Sequence, residues 1–113
     1  MSLDPVVTNP EHYRTIFENE EVRVLEYTDE PGDATALHAH PDSLMYTLTS
    51  FTRRLFQDDQ VRDVELPAGE VVWLPAQQHH ACNTGQTPTR AIFVEMKHPA
   101  VRPPGDAGVL GPA

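Results

Sequence analysis

Alternation with a period of two organises the chain from Glu21 onward. Val22, Val24 and Glu26 interleave with Arg23, Leu25 and Tyr27, which predicts a strand over 21–28. Asp29-Glu30-Pro31-Gly32-Asp33 is a cluster of turn formers. A short strand is expected over 36–40, closed by Pro41-Asp42. Residues 44–51 are β-branched and aromatic and read as one strand. Segments 52–57 and 61–66 flank Asp58-Asp59 and read as a hairpin. Residues 67–70 form another turn. Val71 to Leu74 is a short apolar strand stopped by Pro75. Residues 79–84 run into the turn signal Asn83-Thr84-Gly85, and 89–97 form the last clear strand. Nowhere does a helical period persist for ten residues. Many short strands with regular turn signals predict an all-β sandwich or barrel.

This pattern divides the chain into three parts. Residues 1–14 are polar and proline-broken and are expected as an N-terminal arm or edge segment. Residues 15–98 hold the strands. Residues 99–113 shift to Pro, Gly and Ala, with little to bury, and are expected as a tail. The 113 residues suit one domain with one modest core. The formal net charge is −9, from 17 acidic and 8 basic residues, which argues against nucleic acid and anionic membrane as partners. No apolar run approaches the roughly 20 residues that span a bilayer. Cys82 is the single cysteine, so no internal disulfide is available. With no cationic, apolar start to the chain, a cytoplasmic location is expected.

Four of the six histidines fall in two tight groups, His38-Ala39-His40 and His79-His80. On a strand, positions i and i+2 face the same way, so His38 and His40 present two imidazoles side by side. That is half of a site for a divalent transition metal. The spacing around both groups resembles the cupin superfamily, whose members are double-stranded β-helix (jelly-roll) barrels. Gly32, five residues and then His38-Ala39-His40 match the first cupin motif. Gly69, five residues, Pro75, His79 and then Asn83 four residues on match the second. The resemblance implies a cupin barrel, a metal set of His38, His40 and His79, and a homodimer. Parity turns His80, and with it Cys82, away from His79.

One ligand of the resembled motif is missing. A glutamate is expected three to five residues after His40, where Ser43, Leu44 and Met45 stand instead. Asp42 is expected in a turn, facing water. Three neutral imidazoles leave the ion its full charge and open positions for an anionic or chelating ligand. Iron, zinc, nickel, copper and manganese all suit such a set. Met45, Asn83 and Arg53 are further pocket candidates. Met45 shares inward parity with Ser43 and Thr47. Asn83 shares parity with His79 but also suits the following turn. One of Arg53 and Arg54 must face inward, where it can hold a carboxylate; otherwise it pairs with Asp58, Asp59 or Asp63. Tyr46, Trp73 and Phe93 are expected in the core or at a dimer interface. Three-histidine cupins include dioxygenases, so the resemblance implies a metal-dependent enzyme, an iron dioxygenase first, acting on a small polar or anionic molecule. A non-catalytic binding module and a metal-free isomerase or epimerase are the other readings.

Overall fold

The computed structural model describes residues 2–98 and 110–112. One helical turn, α1 (Pro5–Thr8), precedes nine strands: β1 (Tyr13–Glu18), β2 (Val22–Asp29), β3 (His38–His40), β4 (Ser43–Thr47), β5 (Phe51–Gln57), β6 (Gln60–Leu66), β7 (Val71–Leu74), β8 (Gln77–Asn83) and β9 (Thr89–Met96). They form a five-stranded sheet in the order β1-β2-β9-β4-β7 and a four-stranded sheet in the order β3-β8-β5-β6. Every pairing is antiparallel. Among the described residues, no helix is long and apolar enough to cross a membrane.

Period-2 alternation decides which side chains form the core. On β2 the odd positions turn inward, with Leu25 wholly buried and Tyr27 nearly so. On β9 they are Thr89, Ala91, Phe93 and Glu95, all buried. Leu25 stands opposite Phe93 and Tyr27 opposite Ala91, so the inward faces coincide in register. Phe51 from the second sheet joins Leu25, Tyr27, Met45 and Phe93 in one apolar cluster. Burying an aliphatic or aromatic side chain of this size contributes about 1.5–3 kcal/mol.

The run 44–51, expected as one strand, is two strands in two sheets. β4 ends at Thr47 and β5 starts at Phe51. Threonine hydroxyls hold the corner. Thr47 Oγ1 donates to Pro67 O (2.7 Å) and accepts from Glu70 N (2.9 Å). Thr49 Oγ1 donates to Pro88 O (2.8 Å) and accepts from Arg90 N (2.9 Å). The same β-branched residues that favour a strand satisfy the backbone where the strand breaks.

The segment expected as an arm or edge segment is packed into the barrel, and its end at Tyr13 opens the edge strand β1. Asp4 caps α1, its Oδ1 accepting from Val6 N at 3.0 Å. Asn9 and Tyr13 are buried, and Tyr13 belongs to the core cluster. Most of the expected tail lies outside the described residues. Its end, 110–112, packs on the four-stranded sheet. Leu110 joins the cluster of Leu55, Val64 and Ala81. Arg62 Nη1 donates to the carbonyls of Leu110 (2.7 Å) and Pro112 (2.8 Å). Gly111 adopts φ +77°, where a Cβ would meet Leu55 Cδ1 at 2.8 Å.

Candidate metal centre

The two histidine motifs meet because β3 pairs with β8. His38 stands directly opposite His79, and His40 opposite Gln77. Both motif glycines sit in the turns leading to these segments at positive φ, +88° for Gly32 and +84° for Gly69. Gly32 N donates to Asn83 O (2.9 Å), which ties the first motif's turn to the end of the second. The ring centroids are 4.8 Å apart for His38–His40, 4.8 Å for His38–His79 and 5.1 Å for His40–His79. All three side chains are buried, and one ligand atom from each lies within 4.8 Å of the others. His80 points outward, exposed, and stacks on Phe56.

Hydrogen bonds on the outer nitrogens fix which ring nitrogens face the centre. His38 Nδ1 lies 2.8 Å from the Ala36 carbonyl, which only accepts. Nδ1 therefore carries the proton, and Nε2 keeps a lone pair. His79 Nδ1 lies 2.7 Å from Gln77 Oε1. That amide is oriented without ambiguity, because Oε1 also accepts from Gly111 N (2.8 Å) while Nε2 donates to Pro75 O (2.9 Å). His79 Nδ1 is thus a donor as well, and its Nε2 also keeps a lone pair. Burial first, and then His40, push His38 down to about 3. Burial, His40 and His38 push His79 well below its ordinary value. These two rings are neutral bases at neutral pH.

Glu95 was not singled out from the sequence. Its inward parity with Ala91 and Phe93 was the available signal. Glu95 Oε2 lies 3.6 Å from His40 Nδ1, just beyond hydrogen-bond reach, and both atoms are buried with no hydrogen-bond partner. Arg23 stands opposite Glu95 in the sheet, and its Nε donates to Glu95 Oε1 at 2.8 Å. The guanidinium also holds Asp4, at 2.8 and 3.0 Å. A metal-bound imidazole usually donates its other N–H to a carboxylate or carbonyl. Two of these rings have such a group bonded at Nδ1, Ala36 O for His38 and Gln77 Oε1 for His79, and Glu95 Oε2 faces the third, His40, at 3.6 Å. The donor set therefore fits a divalent transition ion. Among the described residues, the cluster that can hold it contains no carboxylate.

Two further residues close the site. Tyr13 Oη lies 3.3 Å from both His38 Nε2 and His40 Nε2. Asn9 clamps the Ala36 peptide, Oδ1 accepting from its N–H (2.7 Å) and Nδ2 donating to its carbonyl (3.1 Å). Both belong to the stretch expected as an arm, where no periodicity marked them. Asp42, expected in water, is buried and accepts from Ala76 N at 2.9 Å. Its turn folds back against the entry to β8.

A cavity of about 50 Å³ lies beside the histidines. Since about 10–15 Å³ holds one water, there is room for only a few heavy atoms. Met45 lines it together with His38 and His79, and Phe51, Leu74 and Phe93 make its wall apolar. Arg53 lines the same cavity and faces inward, but it already has a carboxylate. It pairs with buried Asp29, donates to Thr89 Oγ1 (3.1 Å) and Tyr27 Oη (3.1 Å), and lies over the Tyr27 ring. Burial pushes the Asp29 carboxyl up. Arg53 beside it, with hydrogen bonds from Tyr27 and Asn83, more than offsets this and holds it below the usual range. Arg54 faces outward and pairs with Asp63. Asn83, a pocket candidate, does not line the cavity. Its Nδ2 donates to Asp29 Oδ1 (3.1 Å) and Thr87 O (2.9 Å), and its Oδ1 accepts from Gly85 N (3.0 Å). It closes the turn after β8 and supports the Arg53–Asp29 pair.

The two-sheet barrel with histidines on paired strands is the cupin double-stranded β-helix, and solved structures agree. A cupin domain from Bordetella pertussis is 24% identical, with a TM-score of 0.71 over 76% of this chain and 92% of that one. A conserved double-stranded β-helix protein from Klebsiella pneumoniae is also 24% identical, with a TM-score of 0.59 over 85% and 78%. A polyketide cyclase from Streptomyces resistomycificus is 21% identical, with a TM-score of 0.58 over 76% and 64%. No family model matches the chain, and no curated protein does.

Proposed function

We propose that the protein binds a divalent transition ion through His38, His40 and His79 and acts as a metal-dependent enzyme, an iron dioxygenase in the specific reading. The observation that carries this is the cluster of three buried imidazoles, each with a carbonyl or carboxylate facing its outer nitrogen. A bound ion would polarise a ligand and supply Lewis-acid or redox chemistry. The protein's own part is to hold that ion, exclude water and orient a small molecule. The apolar wall favours a ligand with an anionic or chelating head and a small apolar remainder. The low basicity of His38 makes it a weak general base, which counts against a metal-free isomerase.

A non-catalytic binding module is the second reading. Arg53, Asp29 and Glu95 are each committed to an ion pair, so none stands free as an acid or base in the cavity. Loading the purified protein with iron(II) or zinc and measuring metal content, then oxygen uptake with thiol and β-diketone substrates, separates the readings. Retention of about one ion per chain with oxygen uptake supports the enzyme, and retention without turnover supports the module. A parent protein that retains no ion under any loading overturns both.

We also propose a cytoplasmic homodimer. The outer face of the five-stranded sheet exposes Leu44, Tyr46 and Val71, in register with Ile92, Val94 and Trp73. A second copy would cover this apolar face. Sedimentation that gives a monomer at all concentrations would refute it.

A further inference from the structure

We infer that Tyr13 supplies a fourth side-chain ligand to this centre, taking the role of the glutamate absent after His40. The inference rests on the metal reading above and concerns this chain's own residues toward the ion.

The distances carry it. Donor atoms at roughly 2.0–2.1 Å from a tetrahedral ion lie about 3.4 Å from one another. Tyr13 Oη is 3.3 Å from His38 Nε2 and 3.3 Å from His40 Nε2. The oxygen therefore stands where a fourth donor would stand relative to two of the nitrogens. The ring cannot readily leave. Its centroid is 4.6 Å from Tyr27, 5.4 Å from His38, 5.7 Å from His40 and 5.9 Å from Phe93. At its other end, Tyr13 N donates to Asn9 O at 3.0 Å, and Asn9 also clamps the peptide that orients His38. One backbone segment thus positions the phenol and one imidazole together.

Without an ion, the hydroxyl can donate to His38 Nε2 and accept from His40 only if that ring carries its proton on Nε2. That tautomer turns a lone pair of His40 Nδ1 toward the Glu95 carboxylate, and Nδ1 and Glu95 Oε2 are both buried with no hydrogen-bond partner. An ion bound to both Nε2 atoms and the oxygen would place the His40 proton on Nδ1, facing Glu95. When the oxygen–metal bond forms, the phenolic proton passes to solvent, and one negative charge is added to a divalent ion held by neutral nitrogens. The buried site then holds a smaller net charge, which low-dielectric surroundings favour. With four protein donors in place, an exogenous ligand enters as a fifth.

The test loads the full chain with one equivalent of iron(II), oxidises it to iron(III) and records the visible and resonance Raman spectra. The expected result is a phenolate-to-iron(III) charge-transfer band with tyrosinate vibrations. Tyr13→Phe should abolish the band and weaken zinc binding ~10-fold or more. The parent's spectrum is decisive even if that variant does not fold. Of the other two tyrosines, Tyr27 is held by Asp29 and Arg53, and Tyr46 is exposed on the outer sheet face. Bound iron without a band, or a band that survives in Tyr13→Phe, overturns the inference and leaves the three-histidine site standing. A parent that binds no metal overturns both.

Discussion

Arg53→Met is the substitution that best separates a substrate anchor from a structural ion pair. It keeps a long side chain inside the barrel and removes the charge. Asp29 is then a buried carboxylate without its cation. Removing one partner of a buried pair costs about 3–5 kcal/mol. Asp29 keeps the Tyr27 hydroxyl (2.5 Å), Asn83 Nδ2 (3.1 Å) and Thr89 N–H (3.4 Å), so the lower end, ~3 kcal/mol, is expected. A domain this size unfolds with about 5–15 kcal/mol in total. At about 4–8 °C per kcal/mol, the melting temperature should fall by roughly 12–24 °C. The assay is urea and thermal unfolding of the metal-free protein at neutral pH. Adding Asp29→Asn removes the stranded charge, so the double variant should recover a large part of the loss. Asp29 is held low in the parent. The stability it contributes is present above its unfolded pKa of about 3.9 and lost as pH falls below that. The difference between parent and Arg53→Met should therefore shrink toward acid. A cost below ~1 kcal/mol, or a double variant no better than the single one, would refute the reasoning. Zinc affinity should not fall in the variant, because the lost charge is itself a cation.

The remaining predictions concern the centre. His79→Ala should abolish metal retention while His80→Ala leaves it intact, since His80 stacks on Phe56 outside the barrel; metal content after gel filtration checks both. Glu95→Gln keeps the shape but removes the carboxylate facing His40, and should weaken zinc binding about 10–100-fold in a competition titration. The metal-free protein should lose stability from pH 6.5 downward. Native His38 refuses, until about pH 3, a proton that the unfolded chain accepts near 6.5, and His79 shifts in the same direction. The stability is fully present above pH 6.5 and falls through that window, by on the order of 4–5 kcal/mol for His38 at most. A flat profile in denaturant titrations between about pH 7.5 and 4 would contradict it.

The strands and the pairing of His38 with His40 were legible because they obey a local rule. Period-2 alternation set the inward faces and put those two imidazoles side by side, while the resemblance of the two glycine–histidine motifs to the cupin superfamily implied that His79 joins them. What sequence concealed was long-range. The corner at 48–50 looked like strand because threonine suits both a strand and a hydroxyl cap. Asn9 and Tyr13 sit in a polar, proline-broken stretch with no period to mark them. Tyr13 reaches the site because β1 pairs with β2 at the edge of the five-stranded sheet, and Asn9 through its hydrogen bonds to the Ala36 peptide. Gly111 supports Gln77, and so His79, from a point in sequence that no spacing rule connects to either.

The inward charges follow one logic that alternation alone shows only as exceptions. On β2 the inward row reads Arg23, Leu25, Tyr27, Asp29, and on β9 it reads Glu95, Phe93, Ala91, Thr89 in register with it. The apolar middle of each row forms the core, and the charged ends reach the two polar regions of the barrel. At one end Arg23 ties Glu95 against His40 and reaches Asp4, which caps α1 just ahead of Asn9 and Tyr13. At the other, Asp29 holds Arg53 and Asn83. An isolated inward charge would cost several kcal/mol, so each is retained only with its partner. The second pair consumes the arginine that looked available for substrate. The first supplies the carboxylate that looked absent from the metal motif, and places it behind a ligand instead of on the ion. With the proposed ion bound, anion recognition in this barrel would fall to the metal itself. Its strength would depend on how many negative donors the protein adds, which makes the oxygen of Tyr13 the deciding atom.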